Sequence, residues 1–389
     1  MTATSPLHLD LVGLAEAIAA RRISAVEATR ACLEAGRRLQ PALNLYIRID
    51  EEEALAAAAA ADQALARGDR TGPLHGVPLA HKDMYYRKGR VVTCGSRIRR
   101  DWVAGTTATA LDRLAAAGAL NLGTLNMAEF AMGGTGHNYH FGHCRNPWNV
   151  DHVPGGSSSG SGAGLAARLF YGALGSDTGG SIRLPAAFCG VTGIKPTQTR
   201  VSRFGAMPLS FSMDNVGPLA RTARDCARLL TAIAGADPRD PTASAQPVPD
   251  YEAGIEAGVA GLTVAVPKNH YLENLHADVL AAYEGTVDLF RRLGAGIVEV
   301  ELPDHESMLA AIHVVISVEA ATCHGPWLRR RPQDYSAAVR SRIEPGLYYP
   351  ATRYLEALDL RGPTLEAFKA AAFAKADALL TPVLATPVP

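Results

Sequence analysis

Two serines set among glycines, and one lysine upstream of them, carry the chemistry that this sequence offers. Ser157 lies in Gly155-Gly156-Ser157-Ser158-Ser159-Gly160-Ser161, and Ser181 in Asp177-Thr178-Gly179-Gly180-Ser181-Ile182-Arg183. Lys82 ends the run Gly76-Val77-Pro78-Leu79-Ala80-His81-Lys82. A serine hydroxyl is a weak nucleophile until a neighbour takes its proton. A base near two such serines points to covalent hydrolysis of an acyl bond.

Ser181 is the better nucleophile candidate. Thr178-Gly179-Gly180 before it allows close backbone approach and positive φ. The N–H groups of Thr178, Gly179, Gly180 and Ser181 could converge on an oxyanion, at about 3 kcal/mol per donor. Alone, this tetrapeptide also fits an ordinary glycine turn or a phosphate loop. The serine run at 157–159 has the composition of a linker, but it is short, follows Pro154 and leads into a patterned segment, which suggests a structured turn. Free lysine, with a pKa of about 10.4, is a poor base at neutral pH. Burial and hydrogen bonds to serines would lower it, and the apolar run before Lys82 reads as a buried strand. Asp177 and Arg183 flank Ser181; they read as surface charges or as a clamp holding the turn. His137, His140, His143 and Cys144 share a glycine-rich loop, but no acidic ligand matches their spacing, so the loop reads as a pocket wall rather than a metal site.

These residues need a scaffold. The first 70 residues read as a helical cover, with Leu11, Leu14, Ala15 and Ile18 at helical spacing, Ser24 as a helix cap, and a helix over 51–67. From 74 to 221 glycine-rich turns separate a helix at 108–118, strands at 120–125 and 173–176, and a helix at 165–171 leaving the serine loop. The stretch 236–250 is polar and proline-rich and reads as a linker. A strand at 262–267, a helix at 277–293 and a strand at 296–302 then continue the sheet to the end of the chain. The alternation predicts an α/β fold around a mainly parallel sheet.

The chain has 389 residues, 48% apolar and 20% charged, with Lys+Arg and Asp+Glu both at 38. This is a globular composition, and zero net charge recruits neither nucleic acid nor an anionic membrane. The stretch 1–10 lacks the features of a secretory signal, and the alanine run 56–61 is too short to span a bilayer. Six scattered cysteines without a Cys-x-x-Cys read as reduced thiols of a cytoplasmic enzyme.

Lys82, the serine loop and the Asp177–Arg183 segment together resemble the amidase signature family. Gly72-Pro73-Leu74-His75-Gly76-Val77-Pro78, the run from Ala187 to Thr197, and Asp214-Asn215-Val216-Gly217-Pro218-Leu219-Ala220-Arg221-Thr222 extend the likeness from about residue 8 to the C-terminus. The resemblance implies a single α/β domain whose twisted, mainly parallel mixed sheet is covered by helices on both faces. It implies a Ser–cis-Ser–Lys triad: Ser181 as nucleophile, Ser157 as bridging serine after a cis peptide bond, and Lys82 as base. Thr178, Gly179, Gly180 and Ser181 would form the oxyanion hole, with Ser158, Asp177 and Arg183 in support. No metal or organic cofactor is implied. Met132, Gly133, Arg200, Phe204, Met207 and Leu209 are expected to wall the substrate pocket.

The expected activity is hydrolysis of amide or carbamate (urethane) C–N bonds of small molecules by a monomer or homodimer. The alternative is the glutamine-hydrolysing subunit of a tRNA-dependent amidotransferase. That subunit usually has Arg-Tyr-Asp-Gly where this chain has Cys323-His324-Gly325, which favours the stand-alone reading. A non-catalytic binding protein on the same scaffold would not need Lys82, Ser157 and Ser181 together. Family members usually continue beyond Leu380-Thr381-Pro382-Val383-Leu384-Ala385-Thr386-Pro387, so a truncation or a different closure of the fold is expected.

Overall fold

The computed structural model describes residues 5–389. Met1–Thr4, part of the stretch read for a secretory signal, lie outside the described residues. Two compact units emerge: one from 1–253 with 326–341, the other from 254–325 with 342–389.

The first unit opens with α1 (Leu11–Ala19) and α2 (Ala25–Leu43), β1 (Tyr46–Ile49) and α3 (Glu51–Ala66). Asp10 and Ser24 cap α1 and α2 by accepting from Gly13 N and Glu27 N, which is why the helices start there. Next come β2 (Pro78–Lys82), α4 (Thr109–Ala116) and β3 (Leu120–Leu125); β3 pairs parallel to β2 and antiparallel to β1. Beyond the serine loop follow α5 (Ser159–Ala166), β4 (Gly172–Asp177), α6 (Arg183–Cys189), β5 (Thr192–Gly193), β6 (Asn215–Ala220) and α7 (Ala223–Ile233), with β6 antiparallel between β4 and β5. Tyr171 N donates to Pro78 O at 3.1 Å, bringing the start of β4 to β2. Leu11, Leu14, Ile18, Leu79, Leu122, Leu125, Phe170 and Tyr171 are buried between these helices and strands, each leucine contributing about 1.5–3 kcal/mol.

The helix expected over 165–171 is corrected: α5 starts at Ser159 and ends at Ala166. Its glycines hide the helical pattern because other backbone crowds them. A Cβ on Gly160 would sit 2.6 Å from Leu45 O, and one on Gly162 2.7 Å from Pro185 O. The stretch 236–250 is tied into the first unit. Asp237 accepts from Ser202 Oγ at 2.6 Å, Asp240 accepts from Arg203 N at 2.8 Å, and Arg200 donates to Gln246 O and Pro247 O.

Asp225 locks the far side of this unit. It closes a capping box with Thr222 on α7 and accepts from Val12 N at 3.0 Å, fully buried. Asp225→Ala leaves that N–H without a partner, and the variant is expected to lose about 1–3 kcal/mol, read as a lower urea midpoint at unchanged slope.

The second unit holds β7 (Thr263–Pro267), α8 (Ala277–Arg292) and β8 (Gly296–Val300), then α9 (His305–Arg330), α10 (Ala337–Ile343), α11 (Ala351–Asp359), α12 (Arg361–Phe373) and β9 (Ala378–Leu379). β7 pairs parallel to both β8 and β9. α9 and α10 each carry residues of both units. After β8 the chain is therefore mostly helical, and the expected continuation of the sheet reduces to β9. By length and composition α9 could cross a membrane; Glu319 inside it is fully buried and accepts from Tyr354 Oη at 2.9 Å, as in a helix packed on protein.

Candidate active site

β2 is buried along its whole length and delivers Lys82 at its C-terminal end, 1% exposed. Its Nζ donates to Ser157 Oγ at 2.6 Å and to Ser176 Oγ at 2.8 Å. Burial lowers the Lys82 pKa from the ordinary 10.5 to about 7, against the opposing pull of Asp214 and Asp177. A neutral amine is thus accessible near neutral pH, as a general base requires. The Gly156–Ser157 peptide bond is cis, and Ser157 and Ser158 are fully buried.

Ser181 sits in the turn between β4 and α6, half-buried. Ser158 N donates to Ser181 O at 3.3 Å, which joins the two serine segments. Among the described residues the Ser181 hydroxyl has no hydrogen-bond partner and no bond links it to Ser157 Oγ; the Ser157–Lys82 link alone is closed.

Asp177 shapes this turn. Fully buried, it accepts from Gly180 N at 2.7 Å, from Ile182 N at 3.1 Å, and from Arg183 Nε and Nη2 at 3.0 and 2.8 Å. Burial alone would raise its pKa; the bonds and charge of Arg183 and the bonds from Ile182 and Gly180 outweigh it and hold the carboxyl below its usual range. The oxyanion expectation for Gly180 is corrected, because its N–H is committed to Asp177. The N–H groups of Gly179 and Ser181 have no partner among the described residues and remain open to a ligand. Gly180 has φ +133°, a conformation that a side chain resists.

Asp177→Asn keeps the shape of the clamp and removes its charge. A carboxylate with a depressed folded pKa stabilises above its unfolded pKa and loses that contribution as pH falls through the folded value. The variant is therefore expected to show a flatter loss of stability below about pH 4 and about 10²-fold lower kcat from a loosened turn. A pH series of thermal melts, with kcat at neutral pH, checks both.

Two neighbours were not singled out from sequence. Ser176 is the second partner of Lys82, and only its place one residue before Asp177 signals it. Asp214 accepts from Thr178 Oγ1 at 2.5 Å, Leu209 N at 2.8 Å and Ser210 N at 3.1 Å. It ties the turn that holds Ser181 to the loop before β6, and its position at the head of the Asp214–Thr222 segment was the available sign.

A cavity of about 220 Å³ opens beside Ser176 and Asp214. Met84, Phe204, Met207 and Phe211 give it apolar walls, while Arg203, Arg239 and Asp240 bring charges of both signs. Of the expected wall residues, Phe204 and Met207 line it. Leu209 is buried and contributes its N–H to Asp214. Arg200 is turned to Tyr251 Oη at 2.6 Å and to the backbone at 246–247. Met132 and Gly133 precede Gly134, whose carbonyl accepts from Gly156 N at 2.7 Å; they adjoin the serine loop instead. In the histidine loop, His140 Nε2 meets Glu129 Oε1 at 2.9 Å and His143 Nδ1 meets Asn138. Among the described residues no group of three His, Cys, Asp or Glu is placed to hold a metal.

A family model described as amidase matches residues 27–389. The chain is 42% identical to a subunit of the glutamyl-tRNA(Gln) amidotransferase of Methylococcus capsulatus, over 96% of its own length and 81% of that protein's. Against the same subunit from Geobacter sulfurreducens the figures are 42%, 98% and 83%. Among solved structures, a chain of a vestigial protein complex tied to the evolutionary origins of an s-triazine catabolic enzyme superposes with a TM-score of 0.93 at 36% identity, covering 98% of this chain and 82% of that one. A bacterial aryl acylamidase of the amidase signature enzymes superposes at 0.89 with 27% identity, covering 98% and 81%. The chain belongs to the amidase signature family and has its α/β fold. It is an amidohydrolase of that family.

Proposed function

We propose that this enzyme hydrolyses the side-chain amide of glutamine through an acyl-enzyme on Ser181, as the catalytic subunit of a multi-chain assembly. The carrying observation is the 42% identity to subunits of glutamyl-tRNA(Gln) amidotransferases over nearly the whole chain. Arg203, Arg239 and Asp240 line the cavity, and each already has protein partners: Arg203 has Thr242 Oγ1 and Asp240, Arg239 has Asp112 and Asp237, and Asp240 has Thr242; the α-carboxylate and α-ammonium groups of glutamine would share these charges. This reading displaces the stand-alone enzyme that the Cys323-His324-Gly325 stretch had favoured.

In this mechanism Ser181 Oγ attacks the carboxamide carbon. Its proton passes to Ser157 Oγ as the Ser157 proton moves to neutral Lys82 Nζ. The N–H groups of Gly179 and Ser181 hold the oxyanion. The relay then returns the proton to the departing nitrogen, and ammonia leaves. Water, deprotonated through the same relay, cleaves the ester and frees glutamate and Ser181. The six cysteines lie scattered along the chain without a Cys-x-x-Cys pair, five of them buried, and we assign the enzyme to the reducing cytoplasm.

A second reading rests on the apolar walls Met84, Phe204, Met207 and Phe211, which fit an aryl or alkyl amide, or a carbamate by the same acyl transfer. Ammonia release from glutamine, measured beside hydrolysis of an aryl nitroanilide and an aryl carbamate, separates the two. A kcat/KM for glutamine at least tenfold above the others, with partner chains co-purifying, supports the first reading. The reverse order with a lone chain overturns it in favour of the second.

A further inference from the structure

A second cavity, of about 340 Å³, lies between α4 and the β2–β3 pair. It belongs to neither the relay nor the cavity beside Ser176. His81, on its wall, immediately precedes Lys82, and successive strand residues point to opposite faces. His81 is 5% exposed. Its Nδ1 accepts from Leu174 N of β4 at 3.2 Å, and burial pushes its pKa down to about 3. The ring is therefore neutral with its proton on Nε2, a donor that has no protein partner among the described residues and is open to the cavity His81 lines.

Other unmet donors share this wall. Asn121 Oδ1 accepts from Gly123 N, which leaves its amide N–H groups open. Thr107 Oγ1 accepts from Lys88 N, which leaves its hydroxyl proton open. Lys88 has no ion-pair partner among the described residues. The acidic groups of the lining are already engaged: Glu53 with Arg87 and Arg90, and Asp112 with Arg239. The site thus offers donors and one unmatched positive charge, beside the aliphatic side chains of Leu114 and Leu120.

We propose that this cavity is an accessory binding site for a small aliphatic carboxylate. The carboxylate oxygens accept from His81 Nε2, Asn121 and Lys88, and the alkyl part rests on the leucines.

Titrating sodium butyrate into protein carrying ¹⁵N-labelled histidine tests this. The expected result is a saturable 1:1 shift of the His81 Nε2–H signal. Lys88→Ala, at an exposed position, and Ala115→Leu, which crowds the cavity from the exposed side of α4, should each raise Kd at least tenfold. Ser181→Ala should leave Kd within twofold, which separates this site from the nucleophile. A shift that does not saturate, a Kd that either cavity variant leaves within twofold, or a Kd that Ser181→Ala moves more than twofold overturns the proposal.

Discussion

Ser181→Ala is expected to lower kcat for amide hydrolysis by about 10⁴-fold or more, with KM and thermal stability nearly unchanged. The Ser181 hydroxyl has no hydrogen-bond partner among the described residues, so its removal breaks no bond within the fold. The clamp that shapes the turn is made by Asp177 and Arg183 and survives the substitution. The loss therefore reports chemistry alone: no covalent intermediate forms, and the open N–H groups and binding contacts account for the residual rate. Steady-state kinetics beside a thermal melt reads both halves. Activity within tenfold of wild type would remove Ser181 from the mechanism.

Lys82→Met is expected to be nearly as damaging, at about 10³-fold or more in kcat/KM, and to raise stability. Folding lowers the Lys82 pKa from 10.5 to about 7. Between those values the unfolded chain binds more protons than the folded one, so the stability of the wild type rises with pH across that window. Below it the ammonium is buried at full cost. Methionine removes that cost but leaves Ser157 and Ser176 without their donor, for a net gain on the order of 1 kcal/mol near pH 7. The gain should shrink toward pH 10. In the wild type, kcat/KM should rise about tenfold per pH unit below pH 7 and level off above it, since the neutral amine is the base. Urea denaturation at several pH values and a pH–rate profile check these signs. A profile that falls through pH 7 would exclude a lysine base.

The parts of the fold with plain periodicity were legible in the sequence. The strand at 120–125 and the helix at 277–293 stand within a residue of where the pattern put them. β6 was not read as a strand, because Gly217 and Pro218 interrupt it. Proline cannot donate to a sheet ladder, yet Pro218 stands opposite Leu174 in a strand paired on both sides, and its carbonyl accepts from Ile194 N. α5 was misplaced because close backbone contacts require its glycines, and glycine carries no hydrophobic signal.

In the candidate site, residue type and order drew attention to Lys82 and the two serine segments, the roles of Ser157 and Ser181 came from the family resemblance, and the structure adds the Lys82–Ser157 bond. What the sequence did not show depends on tertiary direction. Gly180 lies in the expected segment, but its N–H turns to Asp177. Arg200 lies in the expected loop, but its guanidinium turns to Tyr251. Spacing along a chain does not determine which way a group points after a glycine or within a long loop.

Labelling with a fluorophosphonate, followed by peptide mass spectrometry, tests the Ser181–Ser157–Lys82 relay most directly. Phosphonylation is expected on Ser181 alone in the wild type, and at least about 10²-fold more slowly in both Ser157→Ala and Lys82→Met. Modification at another residue, or labelling of Ser181 at wild-type rate in either variant, would contradict the relay.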